Sequence, residues 1–149
     1  MELVFKKAEE DDLEKIAAIE KVSFPDPWTV DSLWAFASDN SIRTLVTVKD
    51  KETGEIVAYY ALQYVLDEAE IAILAVAAKY RRQGIARMMI EEIKKFCKER
   101  KIVLLHLEVR SENEIAQHLY RAMGFREVGR RKDYYERPVD DAILFSVSI

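Results

Sequence analysis

The sequence predicts a mixed α/β (α+β) fold: a single domain over residues 1–149 on a central mixed sheet of about seven strands, with element order β-α-α-β-β-β-α-β-α-β-β. Three observations carry this. The chain has 149 residues, 50% apolar and 34% charged, with three prolines and four glycines, which is enough apolar surface for one core and too little punctuation for a disordered chain. Runs of β-prone residues alternate with segments of helical period. Two strand-to-helix transitions, after Val76 and after Val109, lie within otherwise hairpin-forming sequence, and such crossovers require parallel neighbours in the sheet.

Leu3-Val4-Phe5 reads as a short first strand. Acids from Glu9 to Asp12 complement the dipole of a helix that carries Leu13, Ile16, Ala17 and Glu20 at helical spacing. Phe24-Pro25-Asp26-Pro27-Trp28 ends that helix, because proline has no N–H to donate, and Thr29 caps a second helix from Val30 to about Ala37. Thr44–Val48 and Ile56–Leu66 flank the turn Glu52-Thr53-Gly54-Glu55 as a hairpin, and Glu70–Val76 is the next strand. From Gly84 the period changes, placing Ile85, Met88, Met89, Ile93, Phe96 and Cys97 on one face of a helix that runs to about Arg100.

Ile102–Val109 is apolar enough to suit a central strand covered on both faces. A helix over about Glu112–Met123 follows, with Ser111 and Glu114 at capping-box spacing and Gly124 where a left-handed cap belongs. Phe125–Arg131 and Asp141–Ile149 close the chain as two strands joined by a loop containing Tyr134, Tyr135 and Pro138.

Composition narrows the function classes. The formal charge of −4 gives no reason to expect nucleic-acid or anionic-membrane binding. A single cysteine, Cys97, rules out an internal disulfide and suits a reducing, cytoplasmic setting. Met1–Lys7 does not read as a signal peptide, and the longest apolar run, Ile71–Ala78, is far short of the roughly 18 residues of a spanning helix. His106 and His118 have no companions at ligand spacing, so no metal is expected: His106 reads as structural and His118 as solvent-facing.

Ligands of such sheets bind beyond the carboxyl ends of parallel strands, which directs attention to the two strand-to-helix junctions. At the first, Arg81-Arg82-Gln83-Gly84-Ile85-Ala86-Arg87 opens the long helix. Small residues at Gly84 and Ala86 allow close approach to the backbone, and free N–H groups, the helix dipole and three arginines favour a phosphate or pyrophosphate. The segment is neither a Walker A loop nor a three-glycine dinucleotide fingerprint. The alternative is an ordinary solvated helix start.

At the second junction, alternation puts His106 and Glu108 on one face of the strand, while Asn113, Ala116 and Tyr120 share a face of the following helix. A carboxylate and a phenol facing one cleft suit acyl transfer to an amine: the carboxylate takes the ammonium proton and the phenol protonates a departing thiolate. The alternatives are a Glu108 paired with Arg110 or Lys101, and a Tyr120 that is a core aromatic.

Taken together, these residues resemble the GCN5-related N-acetyltransferase superfamily, whose cofactor motif Gln/Arg-x-x-Gly-x-Gly/Ala is matched by Arg81-Arg82-Gln83-Gly84-Ile85-Ala86 and whose element order agrees along the whole chain. Leu107-Glu108-Val109-Arg110, Asn113, Tyr120, Gly124-Phe125, Tyr134-Tyr135 and Asp141-Ala142-Ile143 are similar to the RimI type, which acetylates the N-terminal alanine of a small-subunit ribosomal protein.

The resemblance implies that superfamily's fold, splayed between the fourth and fifth strands, and acetyl-CoA as cofactor. Its pyrophosphate would lie on the backbone from Arg82 to Arg87, introduced by Arg81, with the pantetheine beside Leu74-Ala75-Val76 and Asn113 also in contact. It further implies Glu108 as general base, Tyr120 as general acid, a backbone N–H near Val76 on the thioester carbonyl, and Phe24, Trp28, Tyr134 and Tyr135 as peptide contacts. Local packing for the first two and an exposed loop for the tyrosines are the bland readings. Ala77-Ala78, where relatives often carry an acid and a proline, and Ala86, in place of a second glycine, depart from the pattern without removing a donor.

The partner implied is a protein or peptide N terminus; an α-amine, with pKa near 8, is easier to deprotonate than a lysine with pKa near 10.4. Lysine side chains or a small amine such as a polyamine or an antibiotic are the alternatives within enzymes, and an acyl-CoA-binding sensor is the non-enzymatic one. The oligomeric state is not legible.

Overall fold

The computed structural model describes residues 1–149. Its elements are β1 (Leu3–Lys7), α1 (Asp12–Ser23), α2 (Val30–Ser38), β2 (Arg43–Asp50), β3 (Ile56–Val65), β4 (Glu68–Val76), a 3-10 turn (Ala78–Tyr80), α3 (Ile85–Glu99), β5 (Leu104–Arg110), α4 (Glu114–Ala122), β6 (Arg126–Glu136) and β7 (Val139–Ser148). The strands form one sheet of seven in the order β1-β2-β3-β4-β5-β7-β6. β1 with β2, β2 with β3, β5 with β7 and β6 with β7 pair antiparallel, whereas β4 and β5 are parallel. The predicted order and the mixed sheet are therefore both present. No helix is long and apolar enough to cross a membrane.

The chain forms two compact units. The first comprises Met1–Gln63 and Ile73–Ala86. Its core is built from β2 and β3, buried on both faces from Thr44 to Val48 and from Ile56 to Leu62, and the inner faces of the first two helices, with Leu13, Ile16, Leu33, Val48, Val57, Tyr59 and Leu62 buried. Asp12 closes the start of α1 by accepting the Glu9 N–H at 2.8 Å, and Lys49 reaches the same carboxylate at 2.8 Å. Burial works to raise the Asp12 pKa, but the Lys49 ammonium and the Glu9 N–H hold it below the usual carboxylate value. Thr29 caps α2 as expected: its hydroxyl accepts from the Ser32 N–H at 3.1 Å while Ser32 Oγ accepts from the Thr29 N–H at 2.8 Å.

The second unit comprises Tyr64–Ala72 and Arg87–Ile149. Four parallel pairs, Glu68↔Leu104 to Ile71↔Leu107, join β4 to β5, and β4 runs on to Val76 past the last of them. Between β5 and β7 pairing continues to Arg110↔Ala142. In α3, Met89, Ile90, Ile93 and Cys97 are buried but Met88 is exposed. At 3.6 residues per turn Met88 points roughly 135° away from the buried stripe, so its expected place on the core face is corrected and Ile90 takes it.

Three further expectations are corrected. β5 is covered fully on one face only, by burial of Leu105, Leu107 and Val109; the other face, with His106 and Glu108, is half-buried. The N-cap of α4 is Asn113, whose Oδ1 accepts from the Ala116 N–H at 3.2 Å, and not a Ser111–Glu114 capping box. Ser111 instead donates to Asp140 Oδ1 at 2.6 Å, a partner 29 residues away in sequence. Tyr134 and Tyr135 belong to β6 itself rather than to a loop, because β6 resumes pairing after an irregularity between Arg131 and Tyr135, with Tyr135 opposite Asp140.

The close of α4 follows the sequence reading. Gly124 has φ +93°, the Phe125 N–H reaches the Tyr120 carbonyl at 3.0 Å and the Gly124 N–H the Arg121 carbonyl at 3.1 Å, the pair of bonds that defines a Schellman cap.

Candidate active site

The residues expected at the first junction lie on the turn that leads from β4 into α3. Leu74 and Val76 are half-buried and Ala75 points into the core. The Ala77 N–H bonds back to the Val57 carbonyl at 2.8 Å, and the 3-10 turn follows. Arg81 turns inward along the chain: its Nε donates to the Val76 carbonyl at 3.1 Å and its Nη2 to Ser23 Oγ at 3.5 Å. That guanidinium is used to brace the turn, while Arg82, Gln83 and Arg87 are exposed.

Arg82 and Gly84 both adopt left-handed backbone conformations, with φ of +64° and +78°. Alternating such residues with right-handed ones tilts successive N–H groups toward a common point, a geometry that suits anions. Ile85 is buried and anchors the first turn of α3, which contains no acidic residue to compete for the positive end of the helix. A side-chain Cβ built at Gly84 meets nothing within 4 Å, so the space over this backbone is open. The segment therefore fits a pyrophosphate by its shape, its N–H donors and its charge. Because φ is +78° with open space around it, Gly84→Ala costs backbone strain of about 1–2 kcal/mol and no clash. We expect a lower melting temperature and weaker CoA binding, by thermal unfolding and calorimetry.

The second junction supplies titratable groups, all within the second unit. Glu108 has a side chain 23% exposed. An ion-pair neighbour is Arg131 on β6, Nε to Oε1 at 3.7 Å. Tyr134 donates its hydroxyl to Glu108, and the Glu108 charge is the chief reason that this phenol lies above the ordinary tyrosine value. Tyr135, packed edge-on against Tyr134 with ring centres 5.1 Å apart and under the Arg110 guanidinium at 4.2 Å, is pushed up to about 12, by burial first and the Glu108 charge second.

Tyr120 is 8% exposed and lies between Phe125 and Phe145, with ring centres at 5.7 and 6.3 Å. Burial, and then the Tyr135 phenol, push its hydroxyl up to about 12. It thus remains a proton donor throughout the neutral range. No hydrogen bond joins Glu108 to Tyr120; Tyr135 lies in reach of both, raised by the Glu108 charge and itself raising Tyr120. Asn113 is exposed, with its Oδ1 engaged in the α4 cap. In the first unit, Trp28 packs edge-on against Phe36 at 5.4 Å and Phe24 is exposed.

Sequence reasoning missed two contributors. Glu70 shares the Glu108 face of the sheet, since Glu70 pairs with His106 and strands alternate. Its carboxyl is raised, by burial first and then by the Glu108 charge. Arg131 was read only as strand sequence. The period-two pattern places Glu70 and Glu108 each on a face, but only the register shows that the face is shared. His106 is held at both ring nitrogens, by Glu68 Oε1 at 2.7 Å and Ser146 Oγ at 2.6 Å, in keeping with the structural role expected of it. Cys97 is buried and its thiol is pushed up to about 11 by burial, which leaves almost no thiolate at neutral pH.

A seven-stranded mixed sheet with one parallel pair at its centre, an anion-suited turn at the start of α3 and a carboxylate surrounded by phenols define an acyl-transfer enzyme. The model of the Acetyltransferase (GNAT) family matches residues 13–125, and the chain belongs to that family. Among similar proteins is the [ribosomal protein bS18]-alanine N-acetyltransferase of Escherichia coli strain K12, 34% identical over 140 residues that cover 93% of this chain and 92% of that protein. The protein of the same name from Haemophilus ducreyi is 33% identical, covering 87% of this chain and 86% of its own. The crystal structure of the ribosomal-protein-S18-alanine N-acetyltransferase from Escherichia coli superposes with a TM-score of 0.90 at 29% identity, over 99% of this chain and 94% of that one.

Proposed function

We propose that this chain transfers an acetyl group from acetyl-CoA to the N-terminal amine of a protein, with the N-terminal alanine of ribosomal protein bS18 as the physiological target. The observation that carries the reading is the near full-length similarity to enzymes named for that reaction. The Arg81–Arg87 turn would hold the pyrophosphate of acetyl-CoA, Asn113 would be a further contact, and the cofactor would supply the activated acetyl thioester. Leu74–Val76 provides the backbone edge along which the pantetheine is guided.

The chain's own groups divide the proton traffic. Glu108, with access to solvent and hydrogen-bonded by Tyr134, takes the proton from the substrate ammonium, directly or through water. Tyr120 delivers a proton to the departing thiolate; a phenol held near 12 is protonated in every molecule at neutral pH and is oriented by the two phenylalanines against it. Phe24, Trp28, Tyr134 and Tyr135 flank the peptide. A buried thiol with so little thiolate gives no support to an acetyl-cysteine intermediate, and the amine attacks directly in a ternary complex.

A thiol-release assay tests the reading. Peptides beginning with the bS18 N-terminal sequence are expected to turn over, and the same peptides with a blocked N terminus to give no release. Turnover of a blocked, lysine-containing peptide or of spermidine in preference to a free N terminus would overturn it.

A further inference from the structure

Glu20 is the most deeply buried carboxylate of the chain, 1% exposed, and the acyl-transfer chemistry above makes no use of it. Removing a carboxylate from water is costly, and an apolar residue of similar size is often at least as stable in such a place, so core packing alone does not account for it. Its contacts indicate what it does. The Glu20 backbone carbonyl accepts the Phe24 N–H at 2.9 Å, and its Oε1 accepts the Trp28 N–H at 3.0 Å. One residue thus holds both ends of the Phe24–Trp28 turn, in which Pro25 and Pro27 have no N–H to offer. The other carboxylate oxygen, Oε2, accepts the hydroxyl of Tyr59 at 2.6 Å, and Tyr59 is fully buried in β3.

We propose that Glu20 is a positioning residue for peptide recognition: through its carboxylate, the Phe24–Trp28 turn is fastened to Tyr59 in the sheet, so that Phe24 and the Trp28 ring are presented in one arrangement. This rests on the reading above that Phe24 and Trp28 flank the peptide. Trp28 is further set by its edge-on contact with Phe36, whereas Phe24 has no such ring contact and depends on the turn. Burial, followed by the hydrogen bond to Glu20, raises the Tyr59 hydroxyl far above the ordinary tyrosine value, so the phenol keeps its proton to donate at neutral pH.

Steady-state kinetics with a free-N-terminus peptide and acetyl-CoA, on Glu20→Leu, Glu20→Gln and Tyr59→Phe, test this. Glu20→Leu fills the space and removes both side-chain bonds; we expect the peptide KM to rise about tenfold or more, the scale of a lost charge-assisted hydrogen bond, with kcat and acetyl-CoA KM within about twofold. Glu20→Gln keeps an acceptor for the Trp28 N–H and returns the peptide KM to within about threefold of wild type. Tyr59→Phe keeps the ring and loses only the anchor, and is expected to raise the peptide KM severalfold; it also decides the matter should Glu20→Leu fail to fold.

An unchanged peptide KM in Glu20→Leu or Tyr59→Phe, or a parallel loss in kcat and both KM values that Glu20→Gln does not rescue, overturns the proposal. Failure of the underlying reading looks different. There the wild-type enzyme itself does not use the peptide, or Phe24→Ala and Trp28→Ala leave the peptide KM unmoved.

Discussion

Glu108→Gln lowers kcat by about 10²- to 10⁴-fold, the range of a lost general base, while CoA affinity measured by calorimetry stays within about twofold. The substitution preserves size and the capacity to accept from the Tyr134 hydroxyl, so the fold is not disturbed. Two signatures accompany the loss. The pH–rate profile changes shape, because the variant has no carboxylate to take the ammonium proton. The phenol of Tyr134, held above the ordinary tyrosine value chiefly by the Glu108 charge, titrates at lower pH in the variant, which difference spectroscopy of tyrosinate formation reads directly. A variant with wild-type turnover removes Glu108 from the mechanism, and the neighbouring raised carboxyl of Glu70 becomes the group to test next.

Tyr120→Phe acts on the other proton. We expect kcat to fall by about 10²-fold or more with both KM values little changed, since the ring still packs against Phe125 and Phe145 and only the hydroxyl is lost. The sign of the pH dependence follows from the shift. A hydroxyl pushed up to about 12 is protonated and competent at all lower pH values and becomes incompetent only as pH rises through about 12. The deficit of the variant is therefore uniform between roughly pH 6 and pH 10, and the profile keeps its shape, in contrast to Glu108→Gln. A shape change confined to alkaline pH, or an unaltered rate, contradicts the assigned role. Measuring release of free thiol under single-turnover conditions separates the chemical step from product departure.

Local physics made much of this molecule legible from its sequence. Thr29 as a cap, Gly124 at a left-handed position and the apolar stripe of α3 each express interactions within about four residues of chain, and each is found where the pattern put it, Met88 excepted. The turn at Arg81–Arg87 belongs with these, because a helix start and the conformational freedom of Gly84 are local properties. Where the reading failed, a distant partner had intervened. Ser111 fitted a capping box by spacing, but Asp140 took its hydroxyl. Tyr134 and Tyr135 follow a charged run that looks like a loop, yet β7 offers a pairing edge and draws them into β6.

The sequence by itself determined the order of elements, the class of chemistry and the two segments proposed to carry it, since periodicity, caps and motif spacing are written in neighbouring residues. Only the tertiary structure decided who stands beside whom: Arg131, Tyr134 and Glu70 around Glu108, and Glu20 bound to a tyrosine 39 positions away. Strand register and the burial of polar groups are settled by the packing of whole faces against one another, and that information is not carried by any short stretch of chain.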